Sequence, residues 1–291
     1  MDAAPMQRRR GAAGDARHPL GPFAMRSAAA RLAGLLFAGA VLVLAQRAQA
    51  QVRLDVPYVP TPPSVVEGML NLADVRPGER VVDLGCGDGR VVVSAASRFG
   101  ARGLGVDIDP QRIREARANA VRAGVEERVE FRLGDLFEVD LSDADVLAIY
   151  LLDDVNLRLR PTILRQMRPG TRVVSHAFGM GNWRPDRHET IDGNSVYLWI
   201  VPADVEGRWH MERSGRGVEL SLRQYFSELS GTATVDGRAV PLHEGRVRGA
   251  EVEFAFELDA GTVERFRGRV DGGRIVAQAD DDPFWEAERA P

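Results

Sequence analysis

The sequence has a single cysteine, no lysine and no repeat or low-complexity tract in its 291 residues. One cysteine excludes an internal disulfide framework, and it excludes a zinc ion held by several thiolates. Without lysine, all 38 basic residues are arginine, set against 42 acidic ones for a net charge of −4. That total hides an asymmetry. Residues 1–50 carry seven arginines and two aspartates, so residues 51–291 hold 31 basic and 40 acidic groups, a net of −9. So acidic a body repels phosphate backbones unless a basic patch offsets it, and no such cluster is present; nucleic acid is not an expected partner. Hydrophobic residues at 44% and charged residues at 27% are the balance of a globular protein and rule out wholesale disorder. The length suits one enzyme-sized domain with an appendage.

From Met25 the chain reads as a three-part address: Arg26 and Arg31 form a basic lead, Leu32–Ala45 an apolar run, and Ala48-Gln49-Ala50 an A-x-A cleavage site. The layout is that of a secretory signal, and the run is short for a membrane span. Residues 1–50 are therefore expected to be a signal peptide or N-terminal anchor. Its use would export the body or anchor it to the membrane on the periplasmic side, with the mature chain starting at Gln51 if cleaved. A packed N-terminal helix on a cytoplasmic protein is the alternative.

Four prolines within residues 51–63 favour an extended lead-in. Ser64 is placed to cap a helix carrying Val65, Val66, Met69, Leu70 and Ala73. Strands and helices then alternate. Strands are predicted at Val81–Leu84, Gly103–Val106, Val129–Leu133, Val146–Tyr150 and Arg172–Ala177, with helices at Gly89–Phe99, Pro110–Ala123 and Val155–Met167 between them. Such alternation means a parallel sheet covered on both faces. Arg187–Ile191 and Ser195–Val201 flank the turn signal Asp192-Gly193-Asn194, which predicts an antiparallel hairpin at the sheet's edge. Beyond Pro202 the character changes. Alternating runs at Val218–Arg223, Thr232–Val235, Val252–Leu258, Thr262–Val270 and Arg274–Ala279 predict a small all-β sandwich or open barrel. The expected division is 51–202 for the α/β domain and 203–291 for the all-β domain.

The stretch Val81-Val82-Asp83-Leu84-Gly85-Cys86-Gly87-Asp88-Gly89-Arg90 runs a buried strand into alternate glycines and a helix. Glycine lets ligand atoms lie on the backbone, and N–H groups at a helix start favour a carboxylate. A dinucleotide loop spaces its glycines G-x-G-x-x-G; here the third arrives one residue early, and Asp83 stands two residues before the first. An acid at that strand end suits an ammonium group. Asp107, about 20 residues on at the next strand end, can accept hydrogen bonds from both ribose hydroxyls. Gly134-Asp135-Leu136-Phe137 follows the third strand, placed for an adenine edge and face. Singly, each has an ordinary reading: a strand–helix turn, a helix cap, a turn residue. In this order they describe amino acid, ribose and adenine, which together make S-adenosylmethionine.

These residues resemble the class I S-adenosylmethionine-dependent methyltransferases, with their Rossmann-like seven-stranded sheet. More narrowly, Val56-Pro57-Tyr58-Val59-Pro60-Thr61-Pro62, Tyr150-Leu151-Leu152 with Asn156, Leu159-Arg160-Pro161 and Arg172–Trp183 are similar to a bacterial group. That group is related to the lysine methyltransferases of the ATP synthase c subunit and the adenine nucleotide translocase. The resemblance spans about residues 55–202. It implies cofactor contact by Asp83, Gly85, Cys86, Gly87, Asp107 and Asp135, with Ile108 and Leu136 beside the last two, and a Tyr58 segment folding over the methionine end. Asp153 stands where the group often has proline.

On the acceptor side, Tyr150, Asp153 and Asn156 follow the fourth strand and are candidates to line the approach to the sulfonium. Each also has a structural reading: a packed ring, a helix cap, a solvated helix residue. His176 either touches the acceptor or is a hydrogen-bonded structural histidine. Cys86 has no partner base that would make it a nucleophile. No histidine pair has metal-ligand spacing, and no metal is expected. The leading expectation is methyl transfer to a protein lysine, or else to a small molecule. A non-catalytic envelope module that keeps the fold is the alternative from a different class, and a nucleotide-dependent oxidoreductase is disfavoured by the glycine spacing.

Overall fold

The computed structural model describes residues 58–259, 261–278 and 284–291. The signal or anchor expected over residues 1–50 lies outside them. Among the described residues no helix is long and apolar enough to cross a membrane.

The first half is a sandwich of helices and sheet. Helix α1 (Pro63–Leu72) begins on two prolines, with Pro62 at its N-cap and no side-chain cap, so the expected role for Ser64 is not realised. Proline suits a first turn because its missing N–H would find no partner there. The next elements are β1 (Arg80–Leu84), α2 (Arg90–Phe99), β2 (Arg102–Asp107), α3 (Pro110–Ala123) and β3 (Val129–Leu133). They are followed by β4 (Val146–Ile149), α4 (Asp153–Gln166), β5 (Arg172–His176) and the hairpin β6 (Arg187–Ile191) and β7 (Asn194–Ile200). The sheet order is β3-β2-β1-β4-β5-β7-β6. The strands from β3 to β5 are parallel, and β7 enters antiparallel to both neighbours. Asp192 and Gly193 both have positive φ, the twist a two-residue hairpin turn needs.

Side chains alternate across the sheet. Val81 joins the layer under α1, α2 and α3, which includes Val65, Met69, Val92 and Ile113. Val82 and Leu84 face the opposite layer with α4, where Leu159, Ile163, Trp183 and Trp199 are buried. By the same period Asp83 falls on the α1–α3 side, at the carboxyl end of β1. The sheet order reverses on either side of β1, and in such sheets ligands bind in the crevice beyond those strand ends.

The second half is a nine-stranded antiparallel sheet: β8 (Gly207–Arg213), β9 (Arg216–Tyr225), β10 (Glu228–Val235), β11 (Arg238–Pro241), β12 (His243–Arg248), β13 (Glu251–Asp259), β14 (Thr262–Asp271), β15 (Arg274–Ala277) and β16 (Trp285–Arg289). β9 links β8 to β10, and β10 also pairs with β12, so the strands form a closed barrel rather than the sandwich or open barrel expected. The closing seam between β10 and β12 is thin, a single rung at Glu228 and Arg246. The interior is filled by side chains. Phe266 stacks on Phe256 at 4.5 Å and meets the Trp285 ring edge-on at 5.7 Å. Gly268 is required there, since a Cβ would lie 2.8 Å from that indole.

The two halves meet along β7 and the loop before β6. The Asp186 side chain accepts the Ile200 N–H at 2.8 Å and faces Arg246 and Arg248 of the barrel at 3.4 and 3.5 Å. Phe226, at the β9–β10 turn, stacks on Trp183 with ring centroids 5.9 Å apart and lies under the Arg160 guanidinium at 4.9 Å.

Candidate active site

The cleft opens at the carboxyl ends of β1, β2 and β4. All nine residues expected to hold the cofactor line it: Tyr58, Asp83, Gly85, Cys86, Gly87, Asp107, Ile108, Asp135 and Leu136. The loop after β1 takes its path because Gly85, Gly87 and Gly89 all adopt positive φ, which a side chain would oppose. Four of its N–H groups, however, are spent within the fold. Those of Gly85 and Cys86 donate to the Val106 carbonyl at 2.9 and 3.0 Å, and that of Gly89 donates to Cys86 at 2.8 Å. The Gly87 N–H donates to Asp107 Oδ2 at 2.8 Å. These four loop N–H groups are thus not free to receive a carboxylate, as the glycine pattern alone suggests.

Asp107 does two jobs in the fold, since its other oxygen accepts the Asp109 N–H at 2.9 Å. Its carboxylate ties the glycine loop to the start of α3, and the remaining lone pairs face the cleft where a ribose would lie. Asp135 also has a local role: Oδ1 accepts the Phe137 N–H at 2.9 Å and starts a short 3-10 turn over Leu136–Glu138. Ile108 lines the same wall and is 41% exposed, an apolar face left open to a flat ring. Cys86 lies inward, and a Cβ on Gly105 would come 2.9 Å from its sulfur. Burial, with Asp83 and Asp107 nearby, pushes the thiol far above its ordinary range, which is the opposite of an activated nucleophile.

Asp83 is 5% exposed. Burial, reinforced by the charges of Asp107 and Asp88, pushes its carboxyl up to about 8. A carboxyl so placed is a site for a cation that brings its own hydrogen bonds. Burial also opposes ionisation of Asp88, but Arg90 outweighs it: the guanidinium pairs with Asp88 at 2.7 Å and holds the carboxyl below the usual range. Arg90 reaches further and donates to the Thr61 carbonyl at 2.7 Å, fixing the chain ahead of α1 over the cleft. Tyr58 lies directly on Gly87, where a Cβ would come 2.4 Å from its ring, and Arg112 covers the ring at 4.4 Å. Sequence reasoning gave no site role to Arg90, Arg112 or Thr61. Their signals were the G-D-G-R run, the first turn of α3, and the threonine inside the proline-rich lead-in.

Of the three acceptor-side candidates, Tyr150 lines the cleft and Asp153 and Asn156 do not. Tyr150 packs on His176 at 3.9 Å and on Phe178 at 6.1 Å. Asn156 is fully buried and donates to the carbonyls of Gly179 and Phe178 at 3.1 and 3.5 Å. Asp153 accepts the Gly179 N–H at 3.1 Å. Both side chains of α4 therefore hold the loop after β5 rather than face the cleft. His176, 2% exposed, sits behind Tyr150 and is hydrogen-bonded to Thr61 and Asn194. Among the described residues no group of metal-ligating side chains converges.

The donor set fits S-adenosylmethionine: a buried carboxyl for the ammonium, a strand-end aspartate for the ribose, Ile108 and Leu136 for the purine. Comparison with known proteins gives the same cofactor. Residues 83–187 match the sequence model of the ANTKMT methyltransferase domain. A protein-lysine N-methyltransferase of Saccharolobus islandicus (strain REY15A) is 46% identical over 151 residues, 50% of this chain and 94% of that protein. The adenine nucleotide translocase lysine N-methyltransferase of Mus musculus is 38% identical over 134 residues, 46% of this chain and 58% of the mouse protein. A crystal structure described as an RNA methyltransferase from Salinibacter ruber, in complex with S-adenosyl-L-homocysteine, shares 53% identity. It covers 50% of this chain and 96% of its own, with a TM-score of 0.50. The three relatives each match about half of this chain, and the family model, over residues 83–187, ends ahead of β8. On its first half, then, the chain belongs to the family of S-adenosylmethionine-dependent methyltransferases that carries the ANTKMT methyltransferase domain.

Proposed function

We propose that the chain transfers a methyl group from S-adenosylmethionine to the side-chain amine of a protein lysine. The observation that carries the cofactor half is the set of aspartates at successive strand ends, with Asp83 buried and Asp107 tied to the glycine loop. For the acceptor half the support is the 46% identity to nearly all of a protein-lysine N-methyltransferase.

When bound, the cofactor supplies a sulfonium methyl group open to in-line displacement. Asp83 would hold its ammonium, Asp107 its ribose, and Ile108 with Leu136 its purine. Arg90 is the cleft cation suited to its carboxylate. The residues' main contribution is alignment and exclusion of water, for which effective molarity supplies about 7–11 kcal/mol. A lysine amine has a reference pKa of about 10.4 and must be neutral to attack. The Tyr150 ring, backed by His176 and Phe178, lines the cleft and helps to exclude water around the incoming amine.

RNA as acceptor is the second reading, favoured by the description of the Salinibacter ruber structure. The net charge of −9 over residues 51–291 speaks against it. Methyl-labelled cofactor added to cell extract separates the two: label lost to protease but not to ribonuclease supports lysine, and the reverse supports RNA. Because the chain has no lysine, labelled lysine must come from another protein. No transfer to any fraction, with no binding of S-adenosylhomocysteine, would sink both. We further read residues 203–291 as an accessory domain that braces the acceptor side. Residues 1–50 we read as an export address or anchor, which N-terminal sequencing of the mature protein tests.

A further inference from the structure

Thr61 and Tyr150 both line the cleft, and one buried side chain, His176, supports both from behind. The Thr61 hydroxyl lies 3.2 Å from His176 Nδ1, and Asn194 Oδ1 lies 3.3 Å from His176 Nε2. The direction of each bond can be worked out. Asn194 Nδ2 donates to the carbonyls of Asp192 at 3.0 Å and Ile191 at 3.4 Å, which turns Oδ1, an acceptor only, toward the imidazole. Nε2 must therefore carry a proton. Burial disfavours the imidazolium, against a smaller opposing effect of Asn194, so the ring is neutral and Nδ1 is bare. A bare Nδ1 can only accept, so Thr61 donates its single hydroxyl proton to it.

We propose that Asn194, His176 and Thr61 form a directed hydrogen-bond chain that leaves the Thr61 oxygen an acceptor toward the cleft, where it takes an N–H of the incoming amine. This rests on the reading of the acceptor as an amine. Chemistry gives the arrangement its point. A hydroxyl free to donate into the cleft would bond to the nitrogen lone pair, the pair that must attack the methyl group. A hydroxyl whose proton is committed elsewhere engages only the N–H bonds and leaves the lone pair available. Thr61 is then a catalytic residue, and His176 and Asn194 are positioning residues. The main chain of Thr61 is fixed as well, through its carbonyl and Arg90. His176 also sets the Tyr150 ring, packed on it at 3.9 Å.

Nitrogen-15 NMR of the full chain labelled in histidine tests the direction without any acceptor. The Nε2–H tautomer at His176 is expected, and an Nδ1–H tautomer or a charged ring at neutral pH overturns the proposal. Methyl transfer to protein of a cell extract tests the role. Thr61→Val is expected to lower kcat/KM for that acceptor about tenfold, the worth of one hydrogen bond, with the affinity for S-adenosylhomocysteine unchanged. Thr61→Ser should recover most of the loss. His176→Phe keeps a ring under Tyr150 and removes both nitrogens, so it should match Thr61→Val, and the double variant should be no worse than either. Thr61→Val at the parent rate, or losses that multiply in the double variant, would overturn the chain. If the parent protein binds S-adenosylhomocysteine but methylates only RNA, the amine reading fails instead, and the tautomer still decides the geometry.

Discussion

Replacing Asp83 by asparagine should make the protein more stable and unable to bind its cofactor. Burial and the neighbouring Asp107 and Asp88 raise the Asp83 carboxyl from 3.8 to about 8 in the folded state. A raised carboxyl means that the native protein binds more protons than the unfolded chain between those two values. Stability is therefore fully present at low pH and falls as pH climbs toward 8. At pH 7, some three units above the ordinary value, the cost is on the order of 4 kcal/mol, and Asp83→Asn removes it. The difference between variant and parent should be small near pH 4 and grow toward pH 8 in urea unfolding without cofactor. Binding has the opposite sign. Only the ionised carboxyl pairs with an ammonium, so affinity for S-adenosylhomocysteine should rise about ninefold from pH 6 to 7 and about fivefold from 7 to 8. Titration calorimetry at pH 7 in two buffers of different ionisation enthalpy should show about 0.9 proton released per molecule bound. Flat affinity across that range, or an asparagine variant no more stable than the parent at pH 7, refutes the assignment of Asp83 as a protonated carboxyl held for a cation.

Asp107→Ala removes the acceptor of the Gly87 and Asp109 N–H groups together with the ribose partner, and should weaken S-adenosylhomocysteine binding about a hundredfold or more by calorimetry. Cys86, the only thiol, should be silent to a disulfide reagent in the native protein and titrate as one equivalent in denaturant, because it is buried and its thiolate is disfavoured. Phe226→Ala removes the contacts to Trp183 and Arg160 and should cost about 2–3 kcal/mol in denaturant unfolding while leaving cofactor affinity unchanged.

The α/β half is legible in the sequence because its central strands are buried on both faces and its helices are bounded by proline and glycine. The runs at Val81–Leu84 and Val146–Ile149 have no other reading at that length, and Gly100 and Gly124 close α2 and α3 in the left-handed conformation. The barrel is less so. β12 buries a single residue, Val247, and β11 only Val240, too little to make a period. β8 and β16 bury two residues each, with charged side chains between. Closure depends on β8 pairing with β16 far along the chain and on the single rung between β10 and β12, and no local pattern records either. The residues expected on the cofactor side line one cleft because, Tyr58 apart, they sit at or just beyond strand ends fixed by topology. On the acceptor side, Asn156 is a polar residue among apolar ones on α4, and its use for loop carbonyls depends on a fold 22 residues further on. Thr61 and His176 are 115 residues apart in the chain, and only the folded sheet brings them together.

The spacing of the glycines disfavours a dinucleotide, and the hydrogen bonding gives the physical reason. A pyrophosphate is held by loop N–H groups that have no other partner, aided by a helix N-terminus. Here the N–H groups of Gly85, Cys86, Gly87 and Gly89 all have partners within the fold. The acidic side chains nearest that loop are Asp83, Asp88 and Asp107. A phosphate entering it would meet three carboxylates and four loop N–H groups already engaged, and the two cleft arginines are paired too, Arg90 with Asp88 and Arg112 with Glu115. A ligand with an ammonium and a sugar meets acceptors where it has donors. The early third glycine is thus a consequence of the hydrogen-bond scheme: Gly89 must turn at once to donate to Cys86 and to start α2, and that tight turn leaves the loop no room to form an anion nest. A titration with NADH should accordingly give no binding at concentrations where S-adenosylhomocysteine saturates, and tight NADH binding would show that the loop donors can be released.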